Sequence, residues 1–350
     1  MTLRDKIQLT TEKKNKTHTP PLWELIVQQE NLKERKRLFL ERLKSKKGYR
    51  RYLGAPIRYP GGKSAAVGYI IELLPENVQR VISPFIGGGS VEVALAKELG
   101  IKVIAFDIFD ILVTFWQVLL NEEQKKKMLS ILIEFKPDKK TYQEVKHLLR
   151  LHWRYTEYHE GDPKNVITDK PLLAALFFFN YQLSYGPGFL GWPSSIYLNE
   201  RAYLDFLEKL ADFHVPNLEV HQADFREVLP RFTQDFLYLD PPYYIGSDSK
   251  VFRGIYPMRN FPIHHHGFPH ETLRDMLNQH KGGFILSYND CPTIRSYYPH
   301  DLHFFPRWHY SMGLGETRIG KNRKERENPS HYKESHEILI VRYPCQSPPC

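Results

Sequence analysis

Cysteine is scarce in this chain: Cys291, Cys345 and Cys350 are the only three among 350 residues. So few thiols, irregularly spaced, exclude a disulfide framework and a cysteine-based zinc site, and they point to a reducing, intracellular compartment. Long apolar runs are missing as well. No stretch approaches the ~20 apolar residues that span a bilayer, so no membrane association is expected. The first residues, Met-Thr-Leu-Arg-Asp-Lys, open nothing resembling the apolar core of a secretory signal. No Gly-x-Gly-x-x-Gly pattern follows a strand and no Gly-Lys-Ser/Thr closes a glycine loop, which argues against dinucleotide and P-loop sites. What remains is a chain of ordinary apolar content, 41%, long enough to bury a substantial core and to form two lobes.

Net charge is also missing from most of the chain. Residues 1–52 hold 15 of the 49 Lys/Arg but 6 of the 40 Asp/Glu, so the whole excess of +9 lies there and the rest is neutral. Within it, 32–47 carries Leu38, Phe39, Leu40 and Leu43 among basic residues, a pattern that predicts a helix with an apolar stripe and a cationic face. Such a helix is either a solvated surface element or an arm that contacts phosphates.

The most specific local feature is Asp240-Pro241-Pro242-Tyr243, which ends the apolar run Phe236-Leu237-Tyr238-Leu239. Proline fixes φ and lacks an N–H, so the Asp240 and Pro241 carbonyls can face outward without being consumed by a helix. A carboxylate and a carbonyl held side by side suit a planar NH2 group with two coplanar donors, and Tyr243 can lie over the ring that bears it. An exocyclic amine on a flipped nucleobase fits this description, with methyl transfer as its chemistry. Asp-Pro-Pro is also a common strand-ending turn.

Upstream, Val81-Ile82-Ser83-Pro84-Phe85-Ile86-Gly87-Gly88-Gly89-Ser90 reads as a strand running into glycines and then a helix, an arrangement that lets a ligand approach the backbone closely. The next predicted strand, 102–106, ends at Asp107, placed to accept from ribose hydroxyls or to cap the helix that follows over 108–120.

These motifs, in this order, resemble the Dam-like (group alpha) DNA adenine-N6 methyltransferases. Arg58-Tyr59-Pro60-Gly61-Gly62-Lys63 is similar to that family's aromatic-x-Gly-Gly-Lys motif, 83–89 to its Pro-Phe-x-Gly-x-Gly loop, and 240–243 to its catalytic motif. The stretch 176–181 followed by Gly186-Pro187-Gly188 is similar to its approach to the target-recognition region, and 282–290 and 337–341 to its closing strands. The likeness covers about residues 55–343. One departure is Ser83, where the family usually carries an acid, so a cofactor hydrogen bond accepted by such a carboxylate is not implied here.

The resemblance implies an α/β fold, a Rossmann-like S-adenosylmethionine-dependent methyltransferase sheet with an inserted, mainly helical target-recognition lobe. The implied division is a basic extension (1–54), a discontinuous catalytic domain (55–120 and 200–345) and the inserted domain (121–199). It implies methyl transfer to N6 of a flipped adenine in double-stranded DNA, with S-adenosyl-L-methionine as cofactor and no metal. RNA adenine, cytosine N4, a protein amide or a non-catalytic DNA-binding subunit are the competing readings. The catalytic residues implied are Asp240, Pro241, Pro242 and Tyr243. Cofactor contacts fall to Tyr59, Lys63, Pro84, Phe85, Gly87, Gly89 and Asp107, with Asp224 at the adenine amine and Phe225 beside the ring. Asp224 also reads as a helix cap. A cognate restriction endonuclease is a compatible partner, and the expected location is cytoplasmic (bacterial, archaeal or phage-type) or nucleoid-associated.

Along the rest of the chain, 64–74 reads as a helix near the cofactor, 121–154 as charged helices, and 302–310 as a late strand. The glycine-, proline- and aromatic-rich 183–195 suits gripping bases or a packed loop. The basic stretch 317–333 reads as a DNA-backbone contact or a solvated loop. Consecutive His264-His265-His266 rarely converge on one ion.

Overall fold

The computed structural model describes residues 32–46, 48–186, 188–246, 267–307, 309–311, 332–334 and 337–344. Residues 1–31, the triple histidine and nearly all of the basic stretch 317–333 lie outside them, as do Pro187, Cys345 and Cys350.

The first helix, α1 (Leu32–Leu43), is the basic amphipathic one; its apolar stripe buries Phe39 and Leu43, and Lys36 Nζ donates to the Leu74 carbonyl at 2.6 Å. It ends in a short hairpin, Lys44–Ser45 with Gly48–Tyr49. The predicted 64–74 helix opens with a 3-10 turn, Lys63–Ala65, before α2 (Val67–Glu72). Then come β1 (Arg80–Ser83), α3 (Ser90–Val93) continuing into a π-helical turn (Ala94–Glu98), β2 (Lys102–Asp107) and α4 (Asp110–Leu120). Four further helices follow, α5 (Glu122–Glu134), α6 (Lys139–Tyr158), α7 (Lys170–Gln182) and α8 (Glu200–Ala211). The chain then returns through β3 (Leu218–Gln222), α9 (Phe225–Val228), β4 (Phe236–Leu239), α10 (His270–Gln279), β5 (Phe284–Asn289), α11 (Pro292–Tyr297), β6 (Leu302–Phe304) and β7 (Glu337–Arg342).

These strands form a seven-stranded sheet in the order β3-β2-β1-β4-β5-β7-β6. Pairing is parallel from β3 to β5, and β7 runs antiparallel to both neighbours. This is the α/β, Rossmann-like sheet expected from the sequence. Side chains along β4 alternate between two cores: Phe236 and Tyr238 join the helices α1 to α8 on one face, Leu237 and Leu239 join α9 to α11 on the other. Both faces are covered, which is why β4 is a continuous apolar run.

The segment 121–199 contributes α5, α6 and α7. Asp169 caps α7 by accepting from the Leu172 N–H at 2.9 Å. Phe177, Phe178 and Phe179 are fully buried there, and Phe115 of α4 lies 5.5 Å from Phe177. The predicted strand over 302–310 is two strands instead. β6 stops at Phe304, and His309–Ser311 pairs separately with Tyr332–Glu334. Pro306, between them, has no N–H to continue a ladder.

The strand order reverses between β1 and β4, and these two are direct neighbours, with Val81 opposite Phe236 and Ile82 opposite Leu237. Their carboxyl ends therefore emerge side by side at the switch point, where open α/β sheets form a ligand crevice. β1 delivers the glycine loop there, and β4 delivers Asp240.

Candidate active site

A cavity of about 470 Å³ opens at this switch point. Its wall includes the Asp240-Pro241-Pro242-Tyr243 bend and, from the glycine loop, Pro84, Phe85, Gly87 and Gly89. Tyr59, Lys63, Asp107, Asp224 and Phe225 line it as well. Every site residue assigned from the sequence thus faces one space.

The glycines are there for steric reasons. Gly89 has φ 68°, and a Cβ on it would sit 2.5 Å from the Trp116 ring. Gly87 has φ 46°, and its Cβ would meet Tyr59 at 2.9 Å. The loop is tied down from two sides. Trp116 Nε1 donates to the Gly87 carbonyl at 3.0 Å, and the Gly87 N–H donates to Asp107 Oδ2 at 3.1 Å. Asp107 Oδ1 accepts from the Phe109 N–H, also at 3.1 Å, which is why α4 starts at Asp110 and not at 108. Both Asp107 oxygens thus hold backbone, yet a carboxylate keeps lone pairs for hydroxyl donors.

Aromatic rings make one wall. Phe85, Phe225 and Phe268 lie 5.3 to 5.8 Å apart, packed on one another at tilted and edge-to-face angles into a continuous aromatic surface. Asp224, next to them, caps α9 through the Arg226 N–H at 2.8 Å and pairs with the Arg226 guanidinium.

At the other motif, Lys63 is the central group. Its Nζ lies 2.7 Å from Asp240 Oδ1, 4.0 Å from Glu337, and 4.8 Å from the centre of the Tyr243 ring, and it donates to the Gly61 carbonyl at 2.9 Å. Burial raises the pKa of Asp240, whose side chain is 22% exposed, and the Lys63 ammonium opposes that rise. Glu337 is fully buried against Lys63 and Tyr243, and loss of hydration pushes it up to about 7. The Tyr243 ring packs at a tilt against Tyr288, 6.4 Å away. Lys63, expected at the cofactor, is thus also the counter-ion of Asp240.

Besides Trp116 and Glu337, three further contributors had not been assigned from the sequence. Asn289, at the tip of β5, accepts from the Tyr244 N–H at 2.8 Å and donates to the Tyr244 carbonyl at 3.0 Å, clamping the chain just after the bend. A polar residue ending a strand beside β4 was the available signal. Phe268 offered none, because it sits far from the other rings in sequence. Glu92 of α3, buried at 2% exposure, accepts a 2.6 Å hydrogen bond from Ser83 Oγ. It was legible only as one more polar residue in a helical pattern.

An exposed aromatic stands on the loop that leaves the cavity. Gly188 and Phe189 line the cavity. Past them the chain turns outward to Trp192, 78% exposed, with Lys146 Nζ 5.3 Å from its ring.

A family model for D12 class N6 adenine-specific DNA methyltransferases matches residues 59–311. The chain belongs to that family. The match begins at Tyr59 and runs through the glycine loop and the Asp240 bend, so the walls of the cavity fall within it. Modification methylase StsI of Streptococcus sanguinis is 25% identical over 304 residues, covering 84% of this chain and 43% of the relative. Type II methyltransferase M.MjaIII of Methanocaldococcus jannaschii is 25% identical over 204 residues, 53% of this chain and 68% of the relative. The chain therefore spans less than half the length of the StsI methylase. Among the described residues, no helix is long and apolar enough to cross a membrane.

Proposed function

We propose that this chain transfers a methyl group from S-adenosylmethionine to N6 of an adenine flipped out of duplex DNA. The observation that carries this reading is the single cavity that joins the glycine loop to the Asp240 bend. When bound, S-adenosylmethionine supplies an electrophilic methyl carbon on its sulfonium. The residues present fit such a group. The phenylalanine trio suits its adenine, the carboxylate of Asp107 its ribose hydroxyls, and the side-chain-free backbone at Gly87 and Gly89 its close approach.

Asp240 and the Pro241 carbonyl would take the two N–H bonds of the target amine. Lys63 holds Oδ1 of Asp240, which leaves Oδ2 for the substrate. Two acceptors at that nitrogen favour a pyramidal geometry, expose its lone pair and stabilise the positive charge that develops as the new bond forms. Alignment of the amine with the methyl group supplies most of the remaining acceleration. Extrusion of the base costs a few kcal/mol, least at a weakened pair. In this reading residues 121–199 recognise the target, 55–120 and 200–345 form the catalytic domain, and the basic 1–54 extension adds backbone affinity. Both relatives are named as modification or Type II enzymes, so a cognate restriction endonuclease is the partner that fits.

Labelled S-adenosylmethionine, plasmid DNA and nucleoside analysis test the reading. The expected product is N6-methyladenine, and Asp240→Ala should lower its rate by about 10²–10³-fold or more while leaving cofactor binding intact. N4-methylcytosine, methylated RNA or methylated protein as the product would replace it, and an unaffected Asp240→Ala would remove the acceptor role.

A further inference from the structure

Of the acids that line the cavity, most are already engaged. Asp240 is paired with Lys63 at 2.7 Å, Asp224 with the Arg226 guanidinium, and Asp107 with two backbone N–H groups. Glu157 is exposed to solvent. Glu92 differs from all of these. It is buried, lies in the first turn of α3 three residues after Gly89, lines the cavity, and is held by a neutral donor, the Ser83 hydroxyl at 2.6 Å. A carboxyl removed from water is costly unless a cation or several donors compensate it. The ammonium nearest in influence, Lys63, is committed to Asp240. A ligand that brings a cation to this end of the glycine loop would supply what the protein does not.

We propose that Glu92 is the residue that receives the α-ammonium group of the cofactor's methionine moiety, with Ser83 fixing the carboxyl in place. This deepens the reading above and rests on it. The strand-end position 83 carries only a hydroxyl, and the hydrogen bond to Glu92 brings a carboxyl from the following helix to that same spot.

A second property of the site supports the assignment. Burial pushes Glu92 up to about 8, opposed by the Ser83 hydroxyl, by its own backbone N–H and by Lys63, and reinforced by Asp240; Tyr238 is a further titratable neighbour. Without a cationic ligand Glu92 is therefore mostly protonated at neutral pH. An incoming ammonium favours the carboxylate, so the carboxyl proton leaves for the buffer on binding.

Isothermal titration of the full chain with three probes tests this. S-adenosylmethionine carries ammonium and sulfonium, S-adenosylhomocysteine carries the ammonium without the sulfonium, and 5′-methylthioadenosine carries neither. Glu92→Gln should weaken the first two alike, by about 10–100-fold, and leave the third within about twofold. Loss confined to S-adenosylmethionine would place Glu92 at the sulfonium and overturn the proposal, and so would equal loss of all three or no loss at all. Ser83→Ala keeps the Glu92 carboxyl and should show a smaller loss with the same selectivity; if Glu92→Gln does not fold, the absence of that selectivity in Ser83→Ala overturns the proposal. Wild-type protein that binds none of the three probes would instead refute the cofactor reading itself.

Discussion

Lys63 and Asp240 form the pair whose chemistry is most exposed to a single substitution. The Asp240 carboxyl is held between two influences, burial raising its pKa and the ammonium at 2.7 Å lowering it. Replacing Lys63 with Met keeps much of the volume and removes the opposing charge, so the Asp240 pKa must rise. If the ionised form is the working acceptor, the acid limb of the kcat profile should move to higher pH in Lys63→Met, by about one unit, with DNA affinity little changed. An acid limb that stays where it is would mean that Asp240 acts through its carbonyl oxygen whatever its charge. The residues of both motifs could be read from sequence because each sits at the end of its own strand, where local pattern and position coincide. The pairing of Lys63 with Asp240 could not be read, because it depends on how the segment before α2 folds back over the end of β4. Glu92 was hidden for a different reason: in a helix, nothing local distinguishes a carboxyl that faces a cavity from one that faces water.

At the scale of elements, the loop between α7 and α8 joins the reaction space to the outside. Its middle is anchored: the Leu190 N–H donates to Asn180 Oδ1 at 2.8 Å, and Tyr142 and Lys146 both donate to the Gly191 carbonyl. Trp192 then projects from an anchored base, which suits stacking on a base better than a loose tip would. Trp192→Ala should weaken binding of duplex carrying the methylated site by about 5–150-fold, the range for one lost stacking contact, while S-adenosylmethionine binding is unchanged. Equal affinity of the two proteins for that duplex would leave the indole without a part in recognition. The sequence reading left this loop open between base contact and simple packing. In the structure Phe189 and Leu190 are buried and Trp192 is exposed, an alternation a sequence does not reveal because so short a loop has no fixed period. Element boundaries shifted for equally local reasons, such as Asp107 holding the Phe109 N–H and Pro306 ending β6.

For the whole molecule, the order of the central strands follows from pairings distant in sequence. A Rossmann-like sheet was implied by the family resemblance, whereas the reversal at β7 has no local signature. Folding this sheet around the cavity also buries titratable groups, and their linkage predicts how stability depends on pH. His152, His270 and His280 are all lowered by burial, His270 to about 4. Between there and about 6.5, their ordinary value, the unfolded chain binds more protons on these groups, so they make stability rise with pH. Glu337 and Glu92 act in the opposite sense. Raised to about 7 and about 8, they keep protons in the fold that the unfolded chain has already lost above about 4.5, so they make stability fall as pH rises. Up to pH 6.5 the two sets oppose each other. Above it the unfolded histidines lose their remaining protons within about one pH unit, and the two raised acids dominate. Urea unfolding without cofactor should therefore show stability declining from pH 6.5 to 8, by at most about 1.4 kcal/mol per pH unit for each acid, and levelling off beyond. Glu337→Gln should flatten the lower part of that decline and Glu92→Gln the upper part. A stability that rises across this window would mean that both carboxyls are ionised in the fold, and that the interior around Lys63 is far better solvated than their burial implies.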